Sequence, residues 1–425
     1  MSRSRWCRRL AAGLTGVAAG LAGGTATAQD ADRGRAAVEA ASQAAEADRL
    51  LKLGEFAQAL PLYEAERASR AATGDLRYEA YARRAIGICR AELGDDGAAI
   101  AEWRQAYDLD LKRDDPGYAG YDDFLIGQAE WRLGRVDAAI ATLERSLTRL
   151  NGAADRDHEA DAQLALVHIL IGAGRAADAR PHVARALAVA EAAGDAPRRA
   201  EAWAASGQVE GAMENPTGAL DHFGRAQKLF EQQGRAAEAA WMETTQGSAL
   251  YLLGRPAEAL ARFEEAAKRH RHLEDGGAVA EDLTAAAGIH LEADRLDAAL
   301  AAATEAVEQA RDADDRPREV EARVRLAQAQ GLKNDWAGAA ATLDEAVLLG
   351  RQVARDDPAE QVRILLTAAA TDARAGLAPR AAERIATAAR VADEAKSPDL
   401  RQAVADASAR LKAATPPPPT PAPPR

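Results

Sequence analysis

Residues 251–260 read YLLGRPAEAL, and residues 131–140 read WRLGRVDAAI. Both place a glycine after a leucine and an alanine five residues beyond that glycine. With the turn glycine as reference, Gly54, Gly94, Gly134, Gly174 and Gly254 stand at multiples of forty. The places between them hold Glu214, Asp294 and Asn334, residue types that also suit turns and helix ends. A ninth copy comes two residues late, at Gly376. Five positions after each reference stand Ala59, Ala99, Ala139, Ala179, Ala219, Ala259, Ala299, Ala339 and Ala381. Alanine at every copy of one offset is a repeat, not an accident of composition.

Other offsets repeat as well. Gly87, Gly127, Gly207 and Gly247 lie seven residues before the turn, and bulky residues such as Tyr63, Trp103, Leu143, Phe223 and Phe263 lie nine after it. Small residues allow two helix backbones to approach, and the large residue fills the space beside the contact. Second breaks fall between the turns, at Gly74-Asp75, Asp115-Pro116-Gly117, Asn151-Gly152, Gly194-Asp195 and Asp357-Pro358. Each forty-residue unit is therefore two helices of about 17 residues, roughly 26 Å long at 1.5 Å per residue. Few stretches are rich in Val, Ile or Thr, so the chain is all-α. One such hairpin cannot bury its apolar face alone, and neighbours must stack.

GICRAELGDDGAAIAEWRQAYDL (87–109) and GSALYLLGRPAEALARFEEAAKR (247–269) resemble the tetratricopeptide repeat family. That family is built from helix pairs with a small residue late in the first helix, a short turn, then alanine and a bulky residue in the second. The resemblance implies a right-handed α-α superhelix of about nine helical hairpins. Its usual period is 34, so a period of forty marks a variant with longer helices.

The ends are of another kind. MSRSRWCRRL carries Arg3, Arg5, Arg8 and Arg9, an apolar glycine-rich run follows, and Ala26-Thr27-Ala28 precedes Gln29. Residues 1–28 read as a secretory signal peptide, too short in their apolar part to span a membrane. General secretion is favoured over twin-arginine export, since Arg8-Arg9 stands without the rest of that pattern. The expected divisions are the solenoid over 29–396, a capping helix over 397–414 and a disordered proline-rich tail over 415–425. The expected location is outside the inner membrane, periplasmic or secreted. Removing residues 1–28 takes away four arginines and no acids, which moves the net charge from −12 to −16. Such an excess disfavours nucleic acid, which is bound by neutralising phosphates.

No enzyme signature survives inspection, and neither a catalytic residue nor a cofactor is expected. LALVHILIGAGRAADA (164–179) imitates a dinucleotide-binding fingerprint, but Gly174 and Ala179 belong to the repeat ladder and the apolar run occupies a first-helix slot. His270 and His272 lie two apart near a helix end, where positive charge suits the dipole, and the other histidines lack metal-ligand spacing. Cys89 reads as a small buried residue.

The functional signal is a stripe. Positions thirteen, ten, six and three residues before the turn share one face of the first helix. They hold Tyr81, Arg84, Tyr121, Phe124, Gln128, Trp131, His168, Gln208, Trp241, Ser248 and Tyr251. In the resembled family the first helices line a groove that takes peptides, and by that resemblance these residues would contact a partner. The outermost row also holds Asp161, Glu201, Glu281 and Glu321, which favours a basic partner. The expectation is a non-catalytic scaffold or assembly adaptor of the cell envelope binding another protein or peptide. The alternative is a ligand- or peptide-sensing regulatory subunit.

Overall fold

A computed structural model describes residues 43–353 and 357–414. The segments read as a signal peptide (1–28) and a proline-rich tail (415–425) lie outside the described residues, as does the start of the expected solenoid (29–42). The described residues are helices joined mostly by turns of two or three residues, with no strand among them. They divide into two compact units between His222 and Phe223.

In the first unit the hairpins are α1 (residues 43–53) with α2 (Phe56–Thr73), α3 (Leu76–Glu92) with α4 (Asp96–Lys112), α5 (Pro116–Arg132) with α6 (Val136–Gly152), and α7 (Arg156–Gly172) with α8 (Ala176–Ala193). The fifth hairpin, α9 (Ala196–Ala212) with α10 (Pro216–Gln232), carries the division inside α10. The second unit continues with α11 (Ala236–Leu252) and α12 (Pro256–His272), α13 (Gly276–Glu292) and α14 (Leu296–Asp312), α15 (Arg316–Leu332) and α16 (Trp336–Val353), and α17 (Pro358–Arg374) and α18 (Ala378–Glu394). A last helix, α19 (Pro398–Ala414), packs on α17 and α18.

The backbone repeats every twenty residues, half the period of the side chains. Residues 54, 74, 94 and every twentieth residue on to 334 have positive φ, between 50° and 92°, followed by Gly376 and Lys396. Each closes a helix in the same way: Gly254 N donates to Tyr251 O at 2.9 Å and Arg255 N to Leu250 O at 3.0 Å. These bonds satisfy carbonyls that the end of a helix leaves without partners. The next residue often caps the following helix. Asp75, Asp95, Asp115, Asp155, Asp195, Asp275 and Asp315 each accept from the backbone N–H three residues on. The break expected at Asn151-Gly152 falls two residues later. Both residues remain helical, and Ala154 takes the left-handed turn, bonded to Asn151 O at 3.2 Å.

Side chains impose the forty-residue period. The nine ladder alanines are all buried. A Cβ on Gly87 would stand 2.3 Å from Trp103 Nε1, on Gly127 2.8 Å from Leu143 Cγ, and on Gly247 2.9 Å from Phe263 Cε1. The small residue of the first helix is thus the floor on which the large residue of the second rests. LALVHILI lies within α7, so the strand that a dinucleotide fingerprint requires is not there. Cys89 is buried and free, and burial pushes its thiol up to about 12.

Candidate functional site

The first helices are the more buried member of each hairpin, so the stripe residues differ in what they can offer. In the first unit Arg84, Tyr121, Phe124 and Gln128 are buried, which corrects the expectation that they face a partner. Arg84 Nε donates to Asp122 Oδ1 at 2.6 Å, and its Nη2 reaches both Asp122 and Asp110. Burial works against its charge, yet the two carboxylates outweigh that and hold Arg84 above the ordinary arginine value. Tyr121 stacks on Phe124 with ring centroids 5.8 Å apart and lies against His158 at 4.2 Å. Gln128 turns inward, with no hydrogen-bond partner for Nε2 among the described residues.

Two further aromatics are committed to packing. Tyr81 is half-buried and donates to Asp48 Oδ1 at 2.5 Å, an oxygen that also accepts from Tyr63 at 2.6 Å. Trp131 lies over Gly172 of the next hairpin, where a Cβ would come within 2.8 Å of its ring. Of the other first-unit stripe residues, Gln208 is half-buried and His168 exposed.

The second unit is more open. Trp241 is half-buried, and Ser248 is exposed with its hydroxyl turned back to Thr244 O at 3.2 Å. Tyr251 is 41% exposed, and Leu252 beside it 70%. The Tyr251 hydroxyl donates to Glu292 of the following hairpin. That bond raises the phenol above its ordinary range, aided by burial, while the Arg325 charge pulls the other way. Sequence reasoning passed over Leu252, which stands two before the turn, where other copies have Lys52, Glu92 and Arg132 but also Leu332, itself exposed.

Two acids of the outer row are paired within the chain. Asp161 accepts from Arg198 at 2.9 and 3.1 Å, and Glu281 accepts from Arg318 at 3.0 and 2.7 Å. In both cases the arginine stands 37 residues further on, at the start of the next first helix. Glu321 is held up by burial and by Glu360. Asp161 and Glu281 therefore add nothing to the argument for a basic partner.

Chemistry-bearing residues also meet at a place that sequence reasoning missed. His270 is buried, not part of an exposed basic helix end. Its Nδ1 lies 2.8 Å from Asp282 Oδ2, and Thr244 Oγ1 donates to Asp282 Oδ1 at 2.7 Å. The hydroxyl contacts the carboxylate and not the imidazole, so this is not a nucleophile–base arrangement. Among the described residues no group of three or more His, Cys, Asp or Glu side chains converges as metal ligands would. A recognisable signal did exist: twelve residues before the turn the copies read Ala82, Asp122, Ala162, Ala202, Met242, Asp282 and Ala322. The two aspartates at this otherwise apolar place are the centres of two of the buried polar clusters.

Solved structures with the same helix-pair architecture include a signal transduction ATPase with numerous domains from Pyrococcus horikoshii, which has a tetratricopeptide repeat sensor. It matches with a TM-score of 0.56 and 14% identity, over 81% of this chain and 54% of its own. The chain folds as a tetratricopeptide repeat solenoid. It spans about half the length of that ATPase. The repeat fold is shared with the apo form of RapI, at a TM-score of 0.51 and 14% identity over 65% of this chain and 98% of that one. It is shared also with a Rap protein complexed with competence and sporulation factor, at 0.51 and 16% over 87% and 99%. No protein-family model matches this tetratricopeptide repeat chain, and no curated protein matches it.

Proposed function

We propose that the protein is a non-catalytic binding scaffold that holds a segment of another protein along its first-helix face. The observation that carries this reading is the exposure of Tyr251 and Leu252 side by side on a first helix, where the repeat's packing needs neither side chain. Aromatic and leucine side chains set beside hydrogen-bonding groups are the usual anchors of peptide recognition. Trp241 and Ser248 lie on the same helix as Tyr251, and His168 and Gln208 stand at the corresponding repeat places of the first unit. A sensing role is the second reading, favoured by solved structures of the same fold that are described as a repeat sensor and as a protein in complex with a factor.

The proposal includes export to the cell envelope or beyond, supported by the arginine-led apolar run before Ala26-Thr27-Ala28. No helix among the described residues is long and apolar enough to cross a membrane. N-terminal sequencing of the protein from the envelope fraction is expected to begin at Gln29; an intact Met1 there would sink the export reading.

The binding test is affinity capture from envelope extract with the wild-type full chain and with Trp241→Ala/Tyr251→Ala. A partner retained by the wild type and lost by the double variant, at unchanged melting temperature, supports the scaffold. Equal retention removes the first-helix face from consideration. A melting-temperature rise with a small-molecule library, without any protein partner, would favour the sensor.

A further inference from the structure

We draw no further inference here: the strongest candidate, the side-chain cluster of Asp48, Tyr63, Glu66 and Tyr81 on α1, α2 and α3, carries nothing, because Asp48 accepts from both tyrosine hydroxyls, Glu66 is paired with Arg70 at 3.7 Å, and nothing else in the structure points to a ligand there.

Discussion

His270 Nδ1 lies 2.8 Å from Asp282 Oδ2, both side chains buried, and Thr244 completes the cluster from α11. Arg84, Asp110 and Asp122 occupy the corresponding places 160 residues earlier. In the third repeat those places hold Phe124, Leu150 and Ala162, all buried and apolar. One contact between successive hairpins is thus built in two chemistries. A buried polar cluster is expensive to break but not to replace whole. Asp282→Ala alone leaves His270 and Thr244 without their acceptor and should lower stability by roughly 3 kcal/mol. Thr244→Phe, His270→Leu and Asp282→Ala together rewrite the third repeat's set and should lose less than the single change. Urea denaturation followed by helicity separates the two cases, and a triple variant weaker than the single would refute the equivalence.

The Asp122 cluster carries a pH signature. Burial raises its carboxyl from 3.8 to about 7 in the folded chain, against the pull of Arg84. Between those values the folded state keeps a proton that the unfolded state has released. Rising pH therefore withdraws stability across this window, the reverse of an ordinary salt-bridged aspartate. Asp122→Asn cannot titrate. Relative to that variant, the wild type should lose melting temperature as pH rises from about 4 to about 7, with little change outside the window. A difference that is flat, or that grows in the wild type's favour with pH, would show that Arg84 keeps Asp122 ionised throughout.

Turns and packing were legible because their causes are local. Gly254 sits where the backbone must turn left-handed, Ala259 where two helices touch, and neither depends on distant residues for its meaning. The stripe was only half legible. Periodicity places Arg84 and Tyr251 on one face, but Arg84 is buried by acids 26 and 38 residues away, and no local pattern announces that. Likewise Glu281 reads as a free acid until Arg318 is found against it. Charge on a solenoid's face is settled between neighbouring hairpins, so one copy read alone misjudges it.

The fit of Gly87 under Trp103 makes a further prediction. A methyl there would meet the indole at 2.3 Å, and the indole N–H is fixed by a bond to Arg84 O at 3.0 Å. Gly247 meets the ring of Phe263 at 2.9 Å with no such tether. Alanine at either place gains helix propensity of about 1 kcal/mol, which overpacking must exceed. Gly87→Ala should lose roughly 3 kcal/mol net, because the displaced tryptophan also gives up a buried hydrogen bond, and Gly247→Ala about 1 kcal/mol. Adding Trp103→Phe to Gly87→Ala should restore part of the loss. If that second change only adds to the damage, the clash is not the cause.

The turns allow backbone cost to be measured apart from packing. Ala154 has φ of 57° in the same bonded turn that uses glycine at Gly94, Gly134 and Gly174. A left-handed conformation costs an L-residue about 1–2 kcal/mol, from which glycine is exempt at the expense of greater freedom in the unfolded chain. Nothing lies within 4 Å of the place a Cβ would occupy at Gly134, so Gly134→Ala tests the backbone with no steric contribution. Ala154→Gly should therefore stabilise by about 0.5–1 kcal/mol, and Gly134→Ala should destabilise by a similar amount. Both changes fall in the first unit, in adjacent turns, so one denaturation series on the full chain compares them directly. Mirror-image shifts would establish that the turn's conformation alone selects glycine at these places. A neutral Gly134→Ala would mean that the turn's hydrogen bonds, available to any residue, already carry the left-handed geometry.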